Sequence, residues 1–199
     1  VDNDVSAGNA STVSTFGQLA LGLTLLAFGL GHTRVIDGVT AADAVSIATY
    51  VGGVALFVAG LLALREGGGS AGTALAGLGV FWFTWGVASG DPVSANAAGL
   101  FLLLFALLAL SLTLGSAGAG VFARGTYGAL FVALVLIAVA SFGDVAWPAE
   151  VGGWFAVVGG LLAWYGATAV MAGLPVVLPG RLRGRGRSRA AGRGVTAAG

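Results

Sequence analysis

The chain has 199 residues, of which 57% are hydrophobic and 9% charged, with a formal net charge of +1 and no cysteine; its mean hydropathy is +0.97. That balance describes a membrane protein rather than a soluble domain. It leaves no thiols for a disulfide or thiolate metal site, and one histidine, His32, cannot build a zinc site, so neither an enzyme nor a cofactor is expected.

Residues 1–14 carry Asp2 and Asp4 and read as a short polar N-terminal tail, unlike the basic-then-apolar start of a cleavable signal peptide. Six apolar stretches follow at 15–32, 44–64, 72–89, 96–116, 125–143 and 151–173, each close to the roughly 17–25 residues that cross about 30 Å of hydrocarbon. Lipid offers the backbone no hydrogen-bond partners, which favours helices over strands despite the many valines and glycines. The first stretch places Gln18, Leu21 and Thr24 on one face and ends at His32, expected as a solvated interfacial side chain. In the third, Leu78 is followed at three, four and seven residues by Phe81, Trp82 and Trp85. The fifth sets Thr126 and Tyr127 beside Leu130. Hydroxyls, an amide and an indole N–H around an apolar neck could hold the oxygens and the alkyl end of a small anion, and the same side chains suit interhelical hydrogen bonding or interfacial anchoring.

The sixth stretch, "VGGWFAVVGGLLAWYG", has glycines at 152, 159 and 166, with Gly173 at the next step of seven. Glycine costs a soluble helix about 1 kcal/mol relative to alanine. In lipid, a seven-step glycine seam instead lets a neighbouring backbone approach closely. Gly53 and Gly60 serve the same purpose on the second stretch. Residues 51–63, "VGGVALFVAGLLA", match 151–163, "VGGWFAVVGGLLA", and a weaker copy starts at Gly99. The even-numbered helices therefore look alike, which predicts an all-α integral membrane fold of three parallel helical-hairpin repeats about an axis along the membrane normal. In the matching register of the odd-numbered helices, Leu21, Leu78 and Leu130 share one level and could close a hydrophobic ring.

All basic residues other than His32 are arginines, and every acid and arginine falls outside the six stretches. No proton relay is therefore apparent inside the membrane. Arg65, Arg124 and the arginines at 181–193 share one side, while Arg34 faces Asp37, Asp43, Asp91, Asp144 and Glu150 on the other. The excess of arginine places both termini in the cytoplasm of a multi-pass cell-membrane protein. The tail at 174–199, "RLRGRGRSRAAGRG" included, is expected to be disordered and topological in role; without aromatic stacking residues it points to no specific nucleic acid.

The segments "YVGGVALFVAGLLALREGG" from Tyr50, "GVFWFTWG" from Gly79 and "VGGWFAVVGGLLAWYG" resemble the acetate uptake transporters, the SatP/YaaH-like succinate and acetate carriers. The likeness runs over residues 12–180 and resides in the order and spacing of these segments. It implies a homohexamer in the bilayer, each protomer with its own pathway for a small carboxylate, narrowed at Leu21, Leu78 and Leu130. The "FW.T" motif adds Phe81, Trp82 and Thr84 to the expected lining. This chain departs from the family pattern in its first-helix motif, in Leu56 and Ala63 where Gln and Glu are usual, and in leucine at two aromatic gate positions. The function expected is a transporter or channel-like carrier for acetate or a similar monocarboxylate; the alternative is a non-transporting oligomeric membrane scaffold.

Overall fold

A computed structural model describes residues 2–89 and 93–174, which form six long helices and, among the described residues, no strand. These are α1 (Asp2–Thr33), α2 (Ala41–Arg65), α3 (Gly69–Ala88), α4 (Ala95–Gly115), α5 (Val121–Gly143) and α6 (Ala146–Met171). Each is long and apolar enough to cross a membrane, α1 over its Thr12–Thr33 portion. Asp91 and the arginine-rich tail lie outside the described residues.

Several helices begin earlier than hydropathy alone suggests, because polar residues serve their first turns. At the start of α2, the Thr40 N–H and hydroxyl both donate to Asp43 Oδ2 at 2.7 Å, a variant of the capping box. Asp43 thus lies within the first turn, and Arg124 and Glu150 likewise sit near the starts of α5 and α6. Pro148 fits the first turn of α6, where its missing N–H leaves no helical carbonyl unpaired. The Ser94 hydroxyl caps α4 by accepting from the Ala97 N–H at 3.3 Å. The backbone before Thr15, expected as a tail, continues α1.

Around the bundle the helices neighbour one another in the order α3, α2, α1, α6, α5, α4, with α2–α3 and α1–α6 the most extensive pairs and α3–α4 only loosely apposed. Aromatic rings fill that loose seam. Phe81 stacks on Phe101 with centroids 5.6 Å apart and lies 5.1 Å from Phe105, while Trp85 stacks on Phe101 at 6.2 Å. Leucine, valine and phenylalanine cover the outside, as on α4 at Leu100, Leu104 and Leu107, which fits a surface solvated by lipid.

Close backbone packing falls on two glycine seams of α6. Gly152, Gly159 and Gly166 face α5: a Cβ at Gly152 would lie 2.9 Å from the Ala133 carbonyl, one at Gly159 3.3 Å from the Thr126 carbonyl, and one at Gly166 3.3 Å from Phe122 Cβ. One residue on, Gly153 and Gly160 face α1 more tightly still. Added Cβ atoms there would meet the Gly29 and Gly22 carbonyls at 2.9 Å, and Gly22 and Gly29 are just as close in return. On α2, Gly53 presses on the Phe83 backbone and Gly60 on the Ala76 backbone. Such approaches supply the van der Waals contact that must replace a hydrophobic drive in lipid.

The backbone of α2 departs from regular winding. Residues Ala48–Ala55 form a π-helix before the α-helical turn resumes at Leu56. Its wide turn carries Gly52 and Gly53, and a Cβ at Gly52 would lie 2.9 Å from Trp82 Cγ. Residues 151–163, whose sequence matches 51–63, are α-helical throughout. The two "VGG" segments therefore differ in winding, a difference that near-identical letters do not convey.

Candidate functional site

Two cavities enter the bundle from opposite ends. At the Arg124 end, a cavity of about 580 Å³ is bounded by the beginnings of α1, α3 and α5 and the ends of α4 and α6. Gln18, Ala74, Leu112, Thr126 and Tyr127 are among the lining residues farthest from its mouth along their helices. At the Arg34 end, a second cavity of about 530 Å³ is lined by Ala42, Trp85, Ser89, Ala97 and Phe101 among others. Among the described residues, no charged side chain lines either cavity. From Ala74 to Trp85 the rise along α3 is ~16 Å, and that interval is filled by side chains.

The filling is apolar. Leu21 and Leu130 are 0% exposed and Leu78 is 1% exposed, and all three belong to one contiguous core with Leu25, Phe28, Phe81, Trp82 and Leu134. Along their helices, Leu21 and Leu130 lie three residues beyond Gln18 and Tyr127, and Leu78 four beyond Ala74. The three leucines thus begin the apolar layer immediately above the Arg124-end cavity. Trp82 packs edge-on against Phe28 with centroids 5.0 Å apart.

Polar groups near the layer are few. Gln18 Nε2 donates to the Tyr127 hydroxyl at 3.2 Å, joining α1 to α5. Thr24 is fully buried and its hydroxyl donates to the Ala20 carbonyl at 2.8 Å, so it satisfies its own helix. Trp82 Nε1 and Thr126 Oγ1 are buried without a hydrogen-bond partner. Among the described residues no acidic or histidine cluster could hold a metal ion.

Two expectations need correction. Thr84 is exposed on the outer side of α3, because Leu78, Phe81, Trp82 and Trp85 take its inner face, so Thr84 lines neither cavity. His32 is not a freely solvated side chain: its Nδ1 donates to the Phe28 carbonyl at 2.8 Å and its ring lies against that of Phe28 at 4.3 Å. Sequence reasoning did not single out Phe101, Phe105, Gly22 or Gly29. The signals were present as aromatic residues four apart on α4 and glycines seven apart on α1, the same step as Gly153 and Gly160.

Six apolar helices packed around a closed apolar middle, with a cavity at each end of the bundle, define an all-helical, multi-pass membrane protein. The chain belongs to the GPR1/FUN34/yaaH family, whose profile matches residues 3–175. Its fold is that of a bacterial protein described as the acetate channel SatP, with a TM-score of 0.74 at 22% identity, covering 84% of this chain and 97% of the other. A curated relative, the glyoxylate pathway regulator of Yarrowia lipolytica, is 27% identical over 167 residues, 78% of this chain. The match spans 62% of that relative's length.

Proposed function

We propose that the protein is a channel-like carrier for acetate or another small monocarboxylate, with a pathway through the interior of each chain. One observation carries the reading: two cavities at opposite ends, with no charged side chain among their described lining residues, are separated by a contiguous apolar core. The description of the bacterial relative as an acetate channel supports the substrate class. Leu21, Leu78 and Leu130 form the constriction, where a carboxylate sheds water and larger solutes are refused.

Polar groups at Gln18, Thr126 and Tyr127 on the Arg124-end cavity and the Trp82 indole N–H within the apolar layer offer neutral donors to the carboxylate, with Phe81 in that layer against its alkyl end; Thr24, whose proton is committed to Ala20, contributes its methyl surface. Neutral donors bind an anion firmly enough to replace part of its hydration and weakly enough to release it. With no acid among the described lining residues, either passive anion flow or passage as the neutral acid needs no side-chain relay.

The Arg65 and Arg124 end faces the cytoplasm of a cell-membrane protein, following the arginine bias. Copies assemble as a homohexamer, by the family resemblance, with the exposed apolar faces shared between neighbours and lipid. A scaffold without transport would have no use for cavities at both ends of its interior. The test is uptake of labelled acetate into liposomes holding the purified protein, with unlabelled monocarboxylates as competitors. Saturable uptake above protein-free liposomes supports carriage, and uptake equal to theirs returns the protein to the scaffold reading.

A further inference from the structure

Three polar side chains, Gln18, Thr126 and Tyr127, line the inner part of the Arg124-end cavity, three to four residues below the leucines on their helices. The Gln18 amide donates to the Tyr127 hydroxyl, a tie between α1 and α5 across 109 residues of sequence. That bond leaves the Tyr127 proton and the second Gln18 N–H for other acceptors. Beside them, Thr126 is 0% exposed and its hydroxyl has no partner.

Neighbouring hydroxyls differ in this respect. Thr73 donates to the Gly69 carbonyl at 2.7 Å, Ser111 to Leu107 at 2.9 Å and Ser116 to Thr113 at 3.0 Å, all within or beside their own helix. Their protons are spent; that of Thr126 is not. A buried hydroxyl without an acceptor is unfavourable, and a cluster of uncommitted donors invites a group that only accepts. An ionised carboxylate accepts at both oxygens and donates nothing.

We infer that Gln18, Thr126 and Tyr127 form a carboxylate site that works by exchange. The arriving carboxylate accepts from the Tyr127 and Thr126 hydroxyls, and the Gln18 amide turns from Tyr127 to the ligand. Exchange undoes the tie between α1 and α5 three residues below Leu21 and Leu130, so occupancy of the site loosens the constriction it guards. The site discriminates against cations because it presents protons and no carboxylate. This inference rests on the reading that small carboxylates pass through this interior.

The test is the initial rate of labelled acetate uptake against acetate concentration in liposomes holding the full chain, for wild type, Tyr127→Phe and Thr126→Val. Both substitutions remove a hydroxyl while keeping the side-chain shape close to the original. Each raises the half-saturating concentration by about tenfold to a hundredfold, as expected for one lost hydrogen bond to a charged ligand, without lowering the maximal rate in proportion. As an independent readout, acetate raises the melting temperature of wild type in detergent relative to chloride, and Tyr127→Phe reduces the shift at the same acetate concentration. An unchanged half-saturating concentration in both variants, with wild type still carrying acetate, overturns the exchange site alone. So does an equal fall in the maximal rates for acetate and the neutral acetamide, which marks a packing role. Wild-type uptake no faster than in protein-free liposomes overturns this inference and the transport reading together.

Discussion

Leu78→Ala should open the constriction. Leu78 is 1% exposed within the apolar layer, so truncation leaves a void that surrounding side chains only partly fill. By analogy with buried leucines elsewhere, the substitution costs about 3 kcal/mol of stability, visible as a lower melting temperature in detergent. The effect on passage has the opposite sign. A void beside the narrow point lets about one water accompany the carboxylate, and retaining one hydrogen bond lowers the barrier by about 1.4 kcal/mol, or about tenfold in rate. Longer carboxylates gain more than acetate, because size exclusion weakens together with dehydration.

Leu78→Trp should do the reverse, with about 1–3 kcal/mol of overpacking strain and reduced flux. Leu78→Met, close in volume, should stay near wild type in both stability and flux. The assay is labelled carboxylate flux in liposomes matched for protein content, with formate, acetate, propionate and butyrate compared. If the Ala and Trp variants both keep wild-type acetate flux and wild-type size preference, the leucines are packing residues and the constriction lies elsewhere.

Other expectations follow from the packing and the ends of the helices. Gly160→Leu and Gly159→Leu should each lower thermal stability or disperse the assembly in detergent, the first more severely because its Cβ would meet the Gly22 carbonyl at 2.9 Å rather than Thr126 at 3.3 Å; size-exclusion chromatography with a melting curve checks both. Gly115→Ala, with open space around the added Cβ, should leave that curve unchanged or raise it slightly. Arg34→Ala breaks the 3.6 Å ion pair with Glu150, but both side chains are substantially exposed, so its stability cost should stay within about 1 kcal/mol by the same melting assay. Because the 199-residue chain has no cysteine, Asp37→Cys and Ala119→Cys in it give single reporters of orientation. In intact cells a membrane-impermeant maleimide should label the first and not the second.

Hydropathy made the six crossings legible because lipid imposes length and apolar content on each helix separately. The helix ends were less legible: Thr40, Asp43 and Pro148 extend α2 and α6 through hydrogen bonding and backbone geometry, to which a hydropathy window is blind. The leucines could be aligned on three helices because helical spacing is regular, and they share one buried core. Their work as a constriction depends on what passes between them, which spacing alone does not reveal. Thr84 was misassigned because membership of the "FW.T" segment does not determine a residue's face, whereas four large inner-facing neighbours do. The seam at Gly22, Gly29, Gly153 and Gly160 has the same seven-residue step as the seam that was recognised, but the pairing partner of a glycine face is a tertiary property. The π-helical turn in α2 arises in a "VGGVA" segment whose near twin in α6 stays α-helical, so the local letters do not determine that winding.

The central claim, that small monocarboxylates cross this chain through an apolar neck, is tested most directly by the dependence of wild-type flux on solute length. Liposomes holding the purified protein would be challenged with labelled formate, acetate, propionate, butyrate and hexanoate, each measured against protein-free liposomes. The account predicts protein-dependent, saturable flux for the shortest acids and a steep decline as the alkyl end outgrows the space between Leu21, Leu78 and Leu130. Protein-dependent flux that is absent for every acid, or that shows no decline with length, would contradict it.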